Sequence, residues 1–425
     1  MFLQKYIGAL EDKNFVKLWI SQLLSEPAGH MLNFLLAIRI YQLTGNNFIV
    51  SIFIVIVSIP PVLFSSFAGV IADHVDRKLV MVFSNLIRAI VVLGFFIFHT
   101  VPAVLLGLAF VISIVSQFFG PTQSATIPTF AKREHLFQAN SIFLSTTYAS
   151  FLIGYALAGP LLYHLGDKIN FIILFTMYCL AMIANLSLPS LKFVLTREEK
   201  VVIIKSFKYV YRKIIEGLKI IKDTRAILYS ILQMTFIFVA ERAIIGLAPD
   251  IAQKYFHFKV DEISYYLIIP IGLGALVGAL FVNRIKKYFS RRKIINWGLT
   301  FAGVSLVLLP FYYLAYDLFG RFGMLAYISL LCVLTGFTDV CVIVTAQTLI
   351  HETSYDGSRG RIFGNLIAFM NIVSIPVILL VGLAANYYAA TYVIGTVGIL
   401  LTIAGLTSRF FYKRSLRLLV KNIKA

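Results

Sequence analysis

Three acids stand inside long apolar runs: Glu26, Glu241 and Asp339. An ionisable group at the centre of such a run costs about 2.5–3.5 kcal/mol on insertion scales, so it faces a cavity or a partner. Glu26 and His30 are four residues apart and Asn33 lies three further on, which sets all three on one helical face. Pro27 follows Glu26; it removes a backbone donor and leaves a carbonyl exposed. A polar, kinked, titratable stripe suits ligand binding and proton exchange, and a satisfied structural pair is the alternative reading. Glu241 and Arg242 are adjacent and point about 100° apart, so they do not pair with each other. Arg242 can face Glu26 or Asp339 instead. Asp339 has Thr335 one turn before it, and Gln117, Gln123 and Ser124 add hydrogen-bonding groups to another apolar run. Other charges have plainer readings. Arg39, near Tyr41, can snorkel to an interface. Asp250 follows Pro249 as a rim residue, and Arg88 reads as a structural ion partner near the inner end of its helix.

The remaining chemistry is sparse. The seven histidines are scattered, with no HxxxH or HExxH, so neither a metal nor an enzymatic cluster is expected. Cys179, Cys332 and Cys341 lie in apolar stretches without a CxxC pair and read as small buried hydrophobes. No GxxxxGK[ST] occurs, and the glycines of 272–278 have the wrong spacing for GxGxxG; Gly274 and Gly278 suit close helix packing instead. Without a nucleotide site or a cofactor, any pumping must draw on an ion gradient.

These residues need helices to hold them in a bilayer. The 425 residues are 59% apolar and 13% charged, with mean hydropathy +0.87; soluble domains carry about a quarter charged residues. Twelve apolar runs are long enough to span a membrane. In the first half they are 15–43, 48–72, 79–98, 103–130, 137–165 and 169–189; in the second they are 226–255, 263–285, 294–316, 322–350, 362–385 and 388–412. The runs are continuous and more than twice a barrel strand in length, so the chain is an all-α membrane protein. With both termini cytoplasmic, most of the 38 Lys and Arg fall on the inner side, and the outer loops keep only Lys168, Lys254, Lys259 and Arg321. That asymmetry accounts for the net charge of +19 without a nucleic-acid partner. The first run is itself a span, so no cleaved leader is expected. The organisation is a six-span bundle over 1–190, a basic connector with an amphipathic inner-surface helix over 191–225, a second six-span bundle over 226–412 and a basic tail over 413–425. The halves repeat weakly, a layout of transporters.

Gly69-Val70-Ile71-Ala72-Asp73-His74-Val75-Asp76-Arg77-Lys78 resembles the inner-loop signature of the major facilitator superfamily. Phe118 to Gln123, Gln138 to Ser141 and Arg359 to Phe363 resemble its branch of macrolide and enterobactin exporters. The resemblance implies the major facilitator fold, twelve transmembrane helices in two six-helix pseudo-symmetric bundles. It also implies that spans 1, 4, 7 and 10, which carry Glu26, Gln117, Gln123, Glu241, Arg242 and Asp339, line a central cavity. Gly69, Asp73, Arg77 and Lys78 would form an inner latch by a carboxylate–guanidinium network; an ordinary positive-inside turn is the alternative. Gly159-Pro160 resembles the Gly-Pro motif of drug–proton antiporters, or is a packing kink. The expected protein is a monomeric multi-pass transporter of the cell inner membrane, not an enzyme, that exports a small amphipathic organic molecule in exchange for protons. Lysophospholipid or other lipid translocation, proton-coupled nutrient uptake and a non-transporting sensor remain open alternatives.

Overall fold

Two glycines turn the chain back inside otherwise unbroken helix. Gly166 (φ 72°) lies within Leu136–Leu186 and Gly320 (φ 64°) within Tyr312–Thr353; glycine enters this backbone region without steric cost. The structure is a computed structural model that describes residues 7–190, 224–353 and 359–423. Its long helices are α1 (Lys13–Thr44), α2 (Asn47–His74), α3 (Arg77–Ile97), α4 (Pro102–Phe130), α5 (Leu136–Leu186), α6 (Arg225–Asp250), α7 (Ile269–Tyr288), α8 (Arg291–Leu308), α9 (Tyr312–Thr353), α10 (Arg359–Tyr387) and α11 (Ala390–Ile423). Among the described residues there is no strand, and nine segments are long and apolar enough to cross a membrane. The connector expected at 191–225 lies almost entirely outside the described residues.

Several boundaries differ from the sequence reading for local reasons. The ninth apolar run was expected to stay helical to residue 316, but α8 stops at Leu308 and a tight turn, Leu309–Phe311, follows. Pro310 sits in that turn and has no N–H to continue the helix. The seventh run widens after α6 into a π-turn over Ile251–Tyr255, and another widened turn, Ser264–Ile268, precedes α7. The backbone of α11 continues helically to Ile423, into the stretch expected as a tail.

The chain divides into two compact units. One holds Met1–Gly45, Ile52–Glu216 and Lys259–Ser264; the other holds Asn46–Ser51, Gly217–Phe258 and Tyr265–Ala425. In the first, α1 lies along α5, and α3 packs on α4 and α5. Asp12 starts α1 by accepting from the amides of Asn14 (2.7 Å) and Phe15 (3.0 Å), and Gly45, at φ 59°, ends it. The apolar surface of α3 is split cleanly. Met81, Asn85, Arg88, Val92 and Phe95 face inward, while Phe83, Ile87, Ile90 and Ile97 are exposed, the helical spacing of an element with one lipid face. In the second unit, α7 meets α9 at Gly274 against Val333 and at Gly336 against Ile271, and α8 packs on α9 and α11.

The tightest backbone-to-backbone approach between long helices of the first unit is at Gly154 of α5. A Cβ there would lie 2.6 Å from Pro27 O and 2.7 Å from His30 Cβ. Gly154→Ala should therefore lower stability by about 1–3 kcal/mol. Gly107→Ala, where the space is open, serves as the matched control. Thermal unfolding of the purified proteins checks this; equal behaviour of the two variants would show that the contact is not tight.

Candidate functional site

The face of α5 that meets α1 carries residues at i, i+4 and i+7 steps, so one strip of it serves one strip of α1. Trp19 Nε1 donates to Thr146 Oγ1 at 2.8 Å. One turn along, Gln22 Nε2 donates to Phe143 O and to Thr147 Oγ1, both at 3.0 Å. Thr147 Oγ1 donates in turn to Glu26 Oε1 at 3.3 Å. The other carboxylate oxygen, Oε2, is buried and has no hydrogen-bond partner among the described residues. Glu26 is thus half-buried, anchored on one oxygen and open to a proton or a ligand on the other.

Next along the same strip the wall becomes aromatic. The His30 ring lies edge-on to Phe151 (5.2 Å between centroids) and near Tyr155 (5.9 Å), while Phe34 and Phe151 both pack on Tyr155. Phe151 and Tyr148 remain exposed. A carboxylate beside exposed rings gives one polar anchor and an apolar surface, the composition of a small-molecule site. Asn33 is half-buried further along α1.

The other expected residues separate into groups. Gln123 is buried and its amide donates to Leu18 O at 3.4 Å, so it ties α4 to α1; Gln117 donates to Ser113 O within its own helix. In the second unit, Glu241 lies within electrostatic reach of both Arg242 and Asp339, and the Arg242 guanidinium sits 4.9 Å from the Phe238 ring. Adjacency had been read as keeping Glu241 and Arg242 apart; their side chains nonetheless feel each other's charge. Arg88, in the same unit as Glu26, lies within electrostatic reach of it.

The plainer readings fare differently. The Arg39 guanidinium pairs with Asp167 at 3.0 Å and donates to His99 O at 3.1 Å. Asp250 is no rim residue: it is buried, 2% exposed, and accepts from Asn47 Nδ2 at 2.9 Å. Arg88 lies at the middle of α3, away from the inner latch. At the latch itself, the side chains of Gly69 and Asp73 lie outside the described residues. Arg77 donates to Ala125 O at 2.7 Å and Lys78 to Leu188 O at 2.6 Å, so both tie α3 to neighbouring backbone. Gly159 N donates to Ser264 Oγ at 3.2 Å, and Pro160 follows within α5.

The sequence reading missed Gln22, Thr147, Phe151 and Tyr155. Gln22 was accessible to it, four residues before Glu26 on the same face. Removing the Thr147 hydroxyl should strand Gln22 and Glu26 together. Thr147→Val is expected to cost about 1–3 kcal/mol and Thr147→Ser to be mild; melting curves in detergent read the difference, and equal melting would place the hydroxyl outside the network.

Comparison with known proteins bears on the whole chain. A family model described as a transmembrane secretion effector matches residues 6–349. A protein of Bacillus subtilis (strain 168) described as a bacilysin exporter is 25% identical over 340 residues, covering 77% of this chain and 80% of that protein. Macrolide efflux protein A of Streptococcus pyogenes is 24% identical over 304 residues, covering 69% and 72%. Among solved structures, a peptide transporter of the POT type in complex with alafosfalin shares the fold with TM-score 0.72 at 15% identity, over 95% of each chain. The nucleoside transporter NupG shares it with TM-score 0.68 at 14% identity, over 94% of this chain and 99% of that one.

Proposed function

This chain belongs to the transmembrane secretion effector family and is a multi-pass membrane transporter of the major facilitator type, and on that premise we propose that it exports a small amphipathic organic molecule in exchange for protons. The observation that carries the reading is Glu26: a carboxylate mid-helix, with one oxygen held by Thr147 and the other buried without a hydrogen-bond partner among the described residues. A group of this kind can take up and release a proton without disturbing the packing around it. The exposed rings beside it suit the apolar part of a substrate. Outward transport is supported by the relatives described as exporters.

The membrane architecture follows the same reading. Helix α5 crosses twice, folding at Gly166; α8, the Pro310 turn and the start of α9 up to Gly320 make one crossing and the rest of α9 the next; α1 is a span with Gln22, Glu26, His30 and Asn33 inside it; the total is twelve, in two bundles of six, 1–190 and 226–412. The basic residues between spans set both termini in the cytoplasm, with the chain in the inner membrane. The protein works as a monomer. Glu241 and Asp339, with Arg242, form the second polar locus, in the other unit, and serve the substrate or a second proton. Arg77 and Lys78, with Asp73 and Gly69, form the inner latch, and Gly159-Pro160 the kink of α5.

The test is Glu26→Gln in proteoliposomes, with the molecule that most stabilises the purified protein among macrolides, catecholate siderophores and lysophospholipids. Proton-driven accumulation should fall to background, while substrate exchange without a pH gradient persists. A Gln variant that still concentrates substrate would make Glu26 structural and pass the assay to Glu241→Gln and Asp339→Asn.

A further inference from the structure

Arg88 is the costliest side chain in the first unit. It sits at the midpoint of α3, 6% exposed, on the inward stripe of a helix whose opposite face is lined by exposed apolar residues. A guanidinium is always charged at physiological pH and carries five donors. Here the satisfied contacts are few. Nη1 donates to Asn85 Oδ1, one turn back, at a long 3.3 Å, and Nε is buried without a hydrogen-bond partner among the described residues. The plane is held between two rings, Phe119 of α4 at 4.4 Å and Tyr178 of α5 at 5.7 Å. Ring faces attract a cation but do not neutralise it. A buried charge without a counter-charge is strongly destabilising.

Its placement shows where the counter-charge comes from. Tyr178 is fully buried, and its hydroxyl reaches α1 beside Gly29, 3.6 Å from where a Cβ would stand; Gly29 is three residues from Glu26 on α1. The acid whose charge reaches Arg88 is Glu26, and Glu26 is the carboxylate with a buried oxygen left over. The titratable groups along this seam of α1 are His30 on α1 itself, Arg88 from α3, and Tyr148 beside Thr147, Tyr155 beside His30 and Tyr178 beside Gly29 from α5. Among them Arg88 is the fixed cation.

We propose that Arg88 is a positioning residue for proton exchange: the permanent counter-charge that lets Glu26 stand ionised inside the bilayer once its proton has left. Phe119 and Tyr178 clamp the guanidinium so that it cannot swing to water, and Asn85 sets its approach. With Glu26 protonated, the Phe119 and Tyr178 faces hold the cation; with Glu26 ionised, the two charges compensate. The proposal rests on the reading of Glu26 as the proton carrier for its role in transport, but the charge pair itself can be measured without transport.

Two ligand-free measurements test it. The first is a double-mutant cycle on thermal stability with Arg88→Gln, Glu26→Gln and the double variant. The pair predicts that Arg88→Gln alone melts lower or fails to fold, and that adding Glu26→Gln restores stability, because no charge is then left unmatched. Additive losses, or a double variant as unstable as Arg88→Gln, overturn the pair. The second is the pH profile of Glu26 modification by dicyclohexylcarbodiimide, an apolar reagent that takes protonated carboxyls. It should be displaced by about one pH unit or more in Arg88→Gln relative to wild type, and stay near wild type in Arg88→Lys, which keeps the charge. Should Arg88→Gln not fold, Arg88→Ala stands in for it together with its own Glu26→Gln double. Superimposed profiles for a neutral variant and wild type would make Arg88 a packing residue alone. Proton-driven transport retained in Glu26→Gln alongside a coupled cycle would sink the functional reading and leave the pair, whereas transport lost in Glu26→Gln alongside additive stability losses would sink the pair and leave the functional reading.

Discussion

The first unit depends on one close approach, Gly154 of α5 against the Pro27 carbonyl and the His30 Cβ of α1. Pro27 has no N–H to give to the Leu23 carbonyl, one turn back, so the ladder of α1 is broken beside this contact. Glycine removes the side chain that would otherwise hold α5 away. Once the two backbones touch at that level, their faces run in register: Trp19 meets Thr146, Gln22 meets Thr147, and Glu26 meets the same hydroxyl. The carboxylate is therefore placed by backbone packing rather than by a loop. A group that must gain and lose a proton many times needs such a rigid support, because any slack would be spent reorganising the site.

The surrounding polar groups follow from the cost of charge in an apolar solvent. Where that cost bears on a residue, the structure answers with a partner from a neighbouring element: Asp167 for Arg39, Asn47 for Asp250, rings and a distant carboxylate for Arg88. Glu26 combines a hydrogen-bonded oxygen with one that has no hydrogen-bond partner among the described residues; Asp167 does so too, but its other oxygen carries the ion pair with Arg39. On the proposed reading the proton and the substrate's polar end compete for the open oxygen of Glu26. Export by exchange requires that competition, for a carrier that held both at once would return with the proton it had brought.

The sequence made some of this plain. Apolar runs at membrane length and basic residues between them gave the helices to within a few residues, and the i, i+4 spacing of Glu26 and His30 gave the face that meets α5. Local chemistry explains the boundaries: Pro310 ends α8 early, and Gly166 and Gly320 break the helix in the gaps that the hydropathy pattern leaves after 165 and after 316. Pairings across the fold were not legible. Arg88 lies 62 positions from Glu26, on another span, and nothing in its own neighbourhood indicates that α1 and α3 converge on Tyr178. Thr147 stands in a run of small polar residues of which only the face that meets α1 matters. The fold decides which of them faces the carboxylate, and a single sequence carries no trace of it.

The central claim is that substrate and proton exclude each other at Glu26. Proton release on ligand binding measures this most directly: purified protein in weakly buffered detergent solution, titrated with the small molecule that most stabilises it, with a pH indicator following the solution. The account predicts a proton released for each molecule bound by the wild-type chain, and none in Glu26→Gln at matched occupancy. Binding without proton release in the wild type, or equal release by both proteins, would contradict it.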